Sequence, residues 1–200
     1  LTLTSSNGVA FHRDLYPCIL NGFLELLERH YLLLHWYTRT PPVGEIDIAG
    51  IEYLVRARDR FLRQGVSFRA YLLNQAGPVK VVALLATAEG KPELDYQVLI
   101  SFAAHHDIGL ALAKAYAELN MSLLSPPRKR MRKTYPGPEA VTELDDHLFY
   151  YQFPERIACF DFLTKSPLPL VKPGNLGVSS LRTPHRMLDL ARDLDLHLFH

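Results

Sequence analysis

The chain has 200 residues, 48% of them apolar and 22% charged, with a formal net charge of +1 at neutral pH. That balance suits one packed domain, residues 1–200, and argues against both a disordered chain and a nucleic-acid binder driven by net charge. No apolar run reaches the ~18 residues a membrane span needs. Cys18 and Cys159 each sit in an apolar run and read as buried free thiols of a cytoplasmic protein.

A turn at Asn7-Gly8 precedes the first predicted helix, about Leu15 to Trp36. Asp14 is its expected N-cap, Pro17 falls in its first turn, and Pro41-Pro42 follows its end. A second helix, about Gly50 to Gln64, carries the apolar stripe Ile51, Leu54, Phe61 and Leu62, with Gly65 as its stop. The runs Val66–Leu73 and Lys80–Ala86 read as a hairpin across a turn at Asn74 to Pro78, and Gln97–Ala103 as a third strand. A third helix, about Gly109 to Leu124, is rich in Ala and Leu and contains Glu118; Pro126-Pro127 breaks it. The basic run Arg128 to Lys133 is read as a solvated loop, or as a patch for an acidic peptide or phosphate. Further helices are expected over Ala140–Gln152, Pro154–Leu163 and Pro184–Leu194, with a loop from Pro167 to Pro184. Hairpin strands mixed with helices, without strict alternation, give an α+β class with mixed or antiparallel sheets.

The first helix is apolar on almost every side, which predicts burial. Yet it carries Glu25, Glu28 and Arg29, three and four residues apart and so on one face. Buried carboxylates are costly unless paired. Two carboxylates one turn apart can grip magnesium, an oxygen-seeking ion that keeps substrate phosphates in its shell, while an adjacent arginine can clamp a phosphate. The plainer reading is a Glu25–Arg29 surface ion pair. Glu118 stands either in the same site or exposed. His105-His106-Asp107 resembles a metal motif, but neighbouring histidines on a strand point to opposite faces. The glycine motifs of P-loop and Rossmann enzymes and the nucleophile elbow of hydrolases are absent from the sequence.

The stretch from Ser6-Asn7-Gly8 through Leu24-Glu25-Leu26-Leu27-Glu28-Arg29, followed by Trp36, Pro41-Pro42 and Ile46-Asp47, resembles the YcaO family. So does the order that follows: Ala103-Ala104-His105-His106-Asp107, Ala115-x-x-Glu118, Asp146-His147-x-x-Tyr150-Tyr151 and Pro154-Glu155. The resemblance implies a YcaO-like fold that binds ATP and magnesium without a P-loop. It implies Glu25 and Glu28 as metal ligands, Arg29 as a phosphate contact, and Glu118 in the same nucleotide site. It also implies ATP-dependent activation of a peptide backbone amide, leading to a thiazoline or oxazoline (an azoline) in a precursor peptide. The alternative is a non-catalytic YcaO-like scaffold. The partners expected are the precursor peptide, a leader-peptide-binding protein and a second copy of the chain. The chain departs from the family pattern at Arg13 and Pro17, where Asn and Glu are common, at His30 in place of Asp, and at Met121 in place of Gln. The missing initial methionine and the strand-like Leu196–Phe199 predict a fragment cut at both ends, with a further acidic metal ligand before Leu1 and a paired strand at 196–199.

Overall fold

The computed structural model describes residues 8–74, 77–91, 94, 96–124, 135–142, 146, 150–151, 153–176 and 192. An unbroken apolar run makes Lys80–Thr87 the buried middle strand of a hairpin. It is labelled β3, and it pairs antiparallel with β2 (Ser67–Leu72) from Ser67–Thr87 to Leu72–Val82. Strand β4 (Val98–His105) pairs antiparallel on the other side of β3, from Lys80–His105 to Thr87–Val98. Two short strands extend the sheet: β1 (Gly44–Ile46), antiparallel to β2, and β5 (Leu170–Val171), parallel to β1. Among the described residues the order is β4-β3-β2-β1-β5, with β4 at one edge.

Alternation along these strands feeds two cores. Phe68, Ala70, Leu72, Val82, Leu84, Leu99 and Ala103 face α2 (Glu52–Arg63) and α3 (Ile108–Leu124). Tyr71, Val81, Ala83, Leu85 and Ala104 face α1 (Leu15–Thr38), which inserts Phe23, Leu24 and Leu27. The α+β class with a mixed sheet is therefore present, as the sequence predicts. Helix α2 ends with Gly65 at φ 71°, where the Gly65 and Val66 amides donate to Leu62 and Phe61. A left-handed glycine turn of this kind satisfies carbonyls that the last helical turn leaves open.

Several expectations are corrected. Helix α1 is buried on one face only: Leu15, Leu33, Leu34 and Tyr37 are exposed, because the sheet covers a single side of it. Leu62 turns away from the core, and Ala57 takes the stripe position beside Leu54 and Phe61. Cys18 and Cys159 are free but half-buried rather than buried; Cys18 donates from Sγ to the Ala10 carbonyl at 3.0 Å. Residues 154–160 form a 3-10 helix, and only α4 (Asp161–Thr164) continues as α-helix. The predicted loop after Pro167 contains β5 and a 3-10 turn at Pro173–Leu176. The helix expected from Ala140 does not include Val141 and Thr142, since a 3-10 turn at Pro138–Ala140 precedes them. The basic run, the helix over 184–194, the strand over 196–199 and residues 1–7 lie outside the described residues, apart from Arg192.

One glycine carries the approach to α1. A Cβ on buried Gly22 would collide with the Gly8 carbonyl oxygen, so the segment before the helix rests directly on its backbone. Alanine is favoured over glycine within a helix by up to about 1 kcal/mol. Gly22→Ala should nevertheless destabilise the fold by about 1–3 kcal/mol, the scale of overpacking. Urea unfolding checks this; a stabilised variant would show that the contact yields freely.

Candidate functional site

Ala103 and Ala104 are successive residues of edge strand β4, so they belong to opposite faces of the sheet. Their small side chains leave room where α1, on one face, and α3, on the other, come around that edge. The gap is a cavity of about 530 Å³ lined by Asn21, Leu24, Glu25, Glu28 and Arg29 from α1, by Ala103 and Ala104, and by Lys114, Ala117 and Glu118 from α3. Helical spacing explains both walls: 25, 28 and 29 share one face of α1, and 114 and 118 share one face of α3. All four residues singled out in the sequence thus line one cavity. Asn21 and Lys114 join them from one turn N-terminal to Glu25 and to Glu118, a spacing that the sequence displays but that takes meaning only once the two helices meet.

The charges are gathered without being paired off. Neither the Glu25–Arg29 pair nor a Glu28–Arg29 pair forms a salt bridge among the described residues, in contrast to Arg56–Glu52, Arg58–Asp59 and Lys165–Asp161, which do. Glu25 and Glu28 are half-buried, while Arg29, Lys114 and Glu118 are exposed. Burial, and then the Glu118 charge, push the Glu28 carboxyl from 4.5 up to about 7, with Glu25 adding to the rise and Arg29 and Lys114 opposing it. Burial also raises Glu118, against Arg29 and Lys114. Its solvent-exposed side screens that rise, so Glu28 is the strained member of the group. A cation or a nucleotide-bound metal placed here would relieve the strain.

Because Arg29 is exposed, its removal leaves no buried orphan charge. Arg29→Ala should cost under about 1 kcal/mol of stability in denaturant unfolding, in place of the larger penalty a buried pair would carry. A loss of several kcal/mol would mean that the guanidinium is structurally engaged.

Other candidates fall away. His105 and His106 stack at 4.1 Å, because β4 ends at His105 and the strand alternation no longer separates them. The His105 ring accepts from the Asp107 amide at 3.0 Å, and neither histidine lines the cavity. Met121 is exposed and also outside it. A second cavity of about 440 Å³ opens farther along α1, walled by Leu32, Trp36, Phe102, Tyr151, Phe160 and Phe162. It is the more apolar of the two. Its buried His35 faces the carbonyls of Leu73 at 2.7 Å and Thr40 at 3.0 Å, which fastens the end of α1 to the sheet. It carries no carboxylate, so the charged cavity is the candidate site.

Comparison with known proteins bears on what the cavity holds. The family model described as "YcaO cyclodehydratase, ATP-ad Mg2+-binding" matches residues 1–198. The chain belongs to the YcaO family. A search of curated proteins returns no match. Among solved structures, the heterocyclase TruD is 17% identical with a TM-score of 0.64, over 96% of this chain and 26% of that one. YcaO from Methanopyrus kandleri bound with AMPPCP and Mg2+ is 23% identical with a TM-score of 0.61, over 95% and 46%. The E. coli microcin synthetase McbBCD complex with pro-MccB17 bound is 17% identical with a TM-score of 0.67, over 95% and 48%. At these identities the likeness is one of fold, and this YcaO chain spans about a quarter to a half of the structures it matches.

The residues present fit magnesium-ATP by their chemistry. No three His, Cys, Asp or Glu side chains among the described residues converge closely enough to hold a bare ion. Magnesium does not require such a cage: it keeps several waters and is bound through one or two carboxylates plus substrate phosphates. Oxygen donors at Glu25, Glu28 and Glu118, with the Arg29 guanidinium for phosphate oxygens, suit that mode.

Proposed function

We propose that this chain carries the nucleotide-handling centre of an ATP-dependent enzyme that activates a peptide backbone amide, leading to an azoline in a precursor peptide. The observation that carries the proposal is the single cavity in which Glu25, Glu28, Arg29 and Glu118 meet, with Glu28 raised to about 7. Family membership supports ATP and magnesium as the ligands. When bound, magnesium-ATP supplies a phosphoryl group for the amide oxygen. In this proposal Glu25 and Glu28 hold the metal, Glu118 completes the carboxylate wall from α3, and Arg29 holds phosphate. Phosphoryl transfer needs positioning and charge neutralisation more than a protein nucleophile, and the cavity offers carboxylates and cations in place of a nucleophile–base pair. A precursor peptide as substrate and a leader-binding protein as partner belong to the same proposal, supported by a related assembly with pro-MccB17 bound. No helix of the described residues is long and apolar enough to cross a membrane.

A second reading, a non-catalytic YcaO-like scaffold, is favoured by Met121, which stands exposed and away from the cavity at a position where the family often has Gln. One assay separates the two. Magnesium-dependent ADP release that a candidate peptide stimulates supports the enzyme. Nucleotide or peptide binding without turnover supports the scaffold. Absence of nucleotide binding overturns the enzyme reading.

A further inference from the structure

Lys114 is the charged group in the cavity that the proposed function leaves without a role. It lies on α3 one turn before Glu118, on the wall opposite Arg29. It forms no salt bridge among the described residues, although Glu118 is its i+4 neighbour, so its ammonium is uncommitted. It shares the cavity with Glu28 from α1 as well as with Glu118 on its own helix. The cavity therefore contains three carboxylates and two fixed cations, one on each helical wall. A site that relied on metal ions alone to offset a triphosphate would have little use for a resident ammonium, which repels metal.

Resting on the nucleotide reading above, we infer that Lys114 is a direct phosphate-binding residue whose fixed charge takes over part of the task of magnesium, so that this chain binds ATP with a reduced dependence on the metal. Lysine serves this purpose as a compact point charge on a flexible stem. Lys114 on α3 and Arg29 on α1 line the same cavity, so a bound polyphosphate would meet a cation from each wall, leaving the carboxylates for the metal.

The test compares ATP affinity in excess EDTA with affinity in millimolar magnesium, by calorimetry, for the wild-type protein, Lys114→Gln and Lys114→Arg. The readout is the ratio of the two dissociation constants, which general damage to the fold would leave unchanged. Wild type should bind ATP measurably in EDTA. Lys114→Gln should raise the ratio about tenfold, the size expected for one charge-assisted contact, and Lys114→Arg should restore most of it. An unchanged ratio in Lys114→Gln, whatever its absolute affinity, overturns the inference and leaves the nucleotide reading intact. So does a wild-type protein that binds ATP only with magnesium. A wild-type protein that binds ATP in neither condition overturns the nucleotide reading itself, and this inference with it.

Discussion

Glu28→Gln should stabilise the unliganded protein at pH 8 by about 1–2 kcal/mol while weakening magnesium-ATP binding about 10- to 100-fold. The stability half follows from linkage. Glu28 keeps its proton up to about pH 7 in the folded chain, above the 4.5 of an ordinary glutamate, so between those values the folded state holds a proton that the unfolded state has released. Stability from this group is thus complete below about pH 4 and is lost as pH rises through 7. The full shift would correspond to a little over 3 kcal/mol; the partial solvent contact of the side chain reduces the expected effect to the smaller figure. Gln has nothing to ionise, so its stability curve should stay flat across this range. The binding half follows from removing one charged ligand, at roughly 1.5–3 kcal/mol. Denaturant unfolding at pH 5.5 and pH 8, together with nucleotide titration, measures both. Parallel pH dependence in the two proteins would show that Glu28 ionises freely. Lost binding beside gained stability would show that the fold tolerates a strained carboxylate for the sake of the site.

Phe23→Ala should cost about 3–5 kcal/mol, a large part of the 5–15 kcal/mol that usually holds a domain. Phe23 is 1% exposed on the same helix as the carboxylates, and it packs in the core that α1 shares with β2, β3 and β4. Truncation removes the buried ring and leaves a cavity that rigid strands cannot collapse to fill. Leu33, on the outward face of the same helix, is 42% exposed, and Leu33→Ala should stay within about 1 kcal/mol. Urea midpoints at constant slope give the comparison. Similar losses at both positions would mean that α1 is enclosed on all sides.

That pair of residues also shows what composition along a helix does not reveal. Leu15, Leu33, Leu34 and Tyr37 look no different in the sequence from Phe23, Leu24 and Leu27, and only the position of the sheet separates them. The long elements were legible because periodicity and breakers agreed: prolines beyond α1, glycine after α2, and continuous apolar runs in the hairpin. The short strands β1 and β5 were not, since three residues and two residues carry no period and exist through pairing with each other and with β2. The stretch after Pro154 kept helical spacing yet wound more tightly, an outcome that local pattern does not distinguish. In the candidate site, the spacing of Glu25, Glu28 and Arg29 was visible in one helix. The nearness of Glu118 was expected from resemblance, and Lys114 emerged only when α3 was seen to meet α1 around an edge strand.

That edge has a mechanical consequence. The two walls of the cavity belong to layers that lie on opposite sides of the sheet and touch different cores. A molecule that fills the gap bridges the layers as a clasp does. Its binding energy would oppose separation of α1 from α3, tying together two helices that pack on different cores on either side of β4.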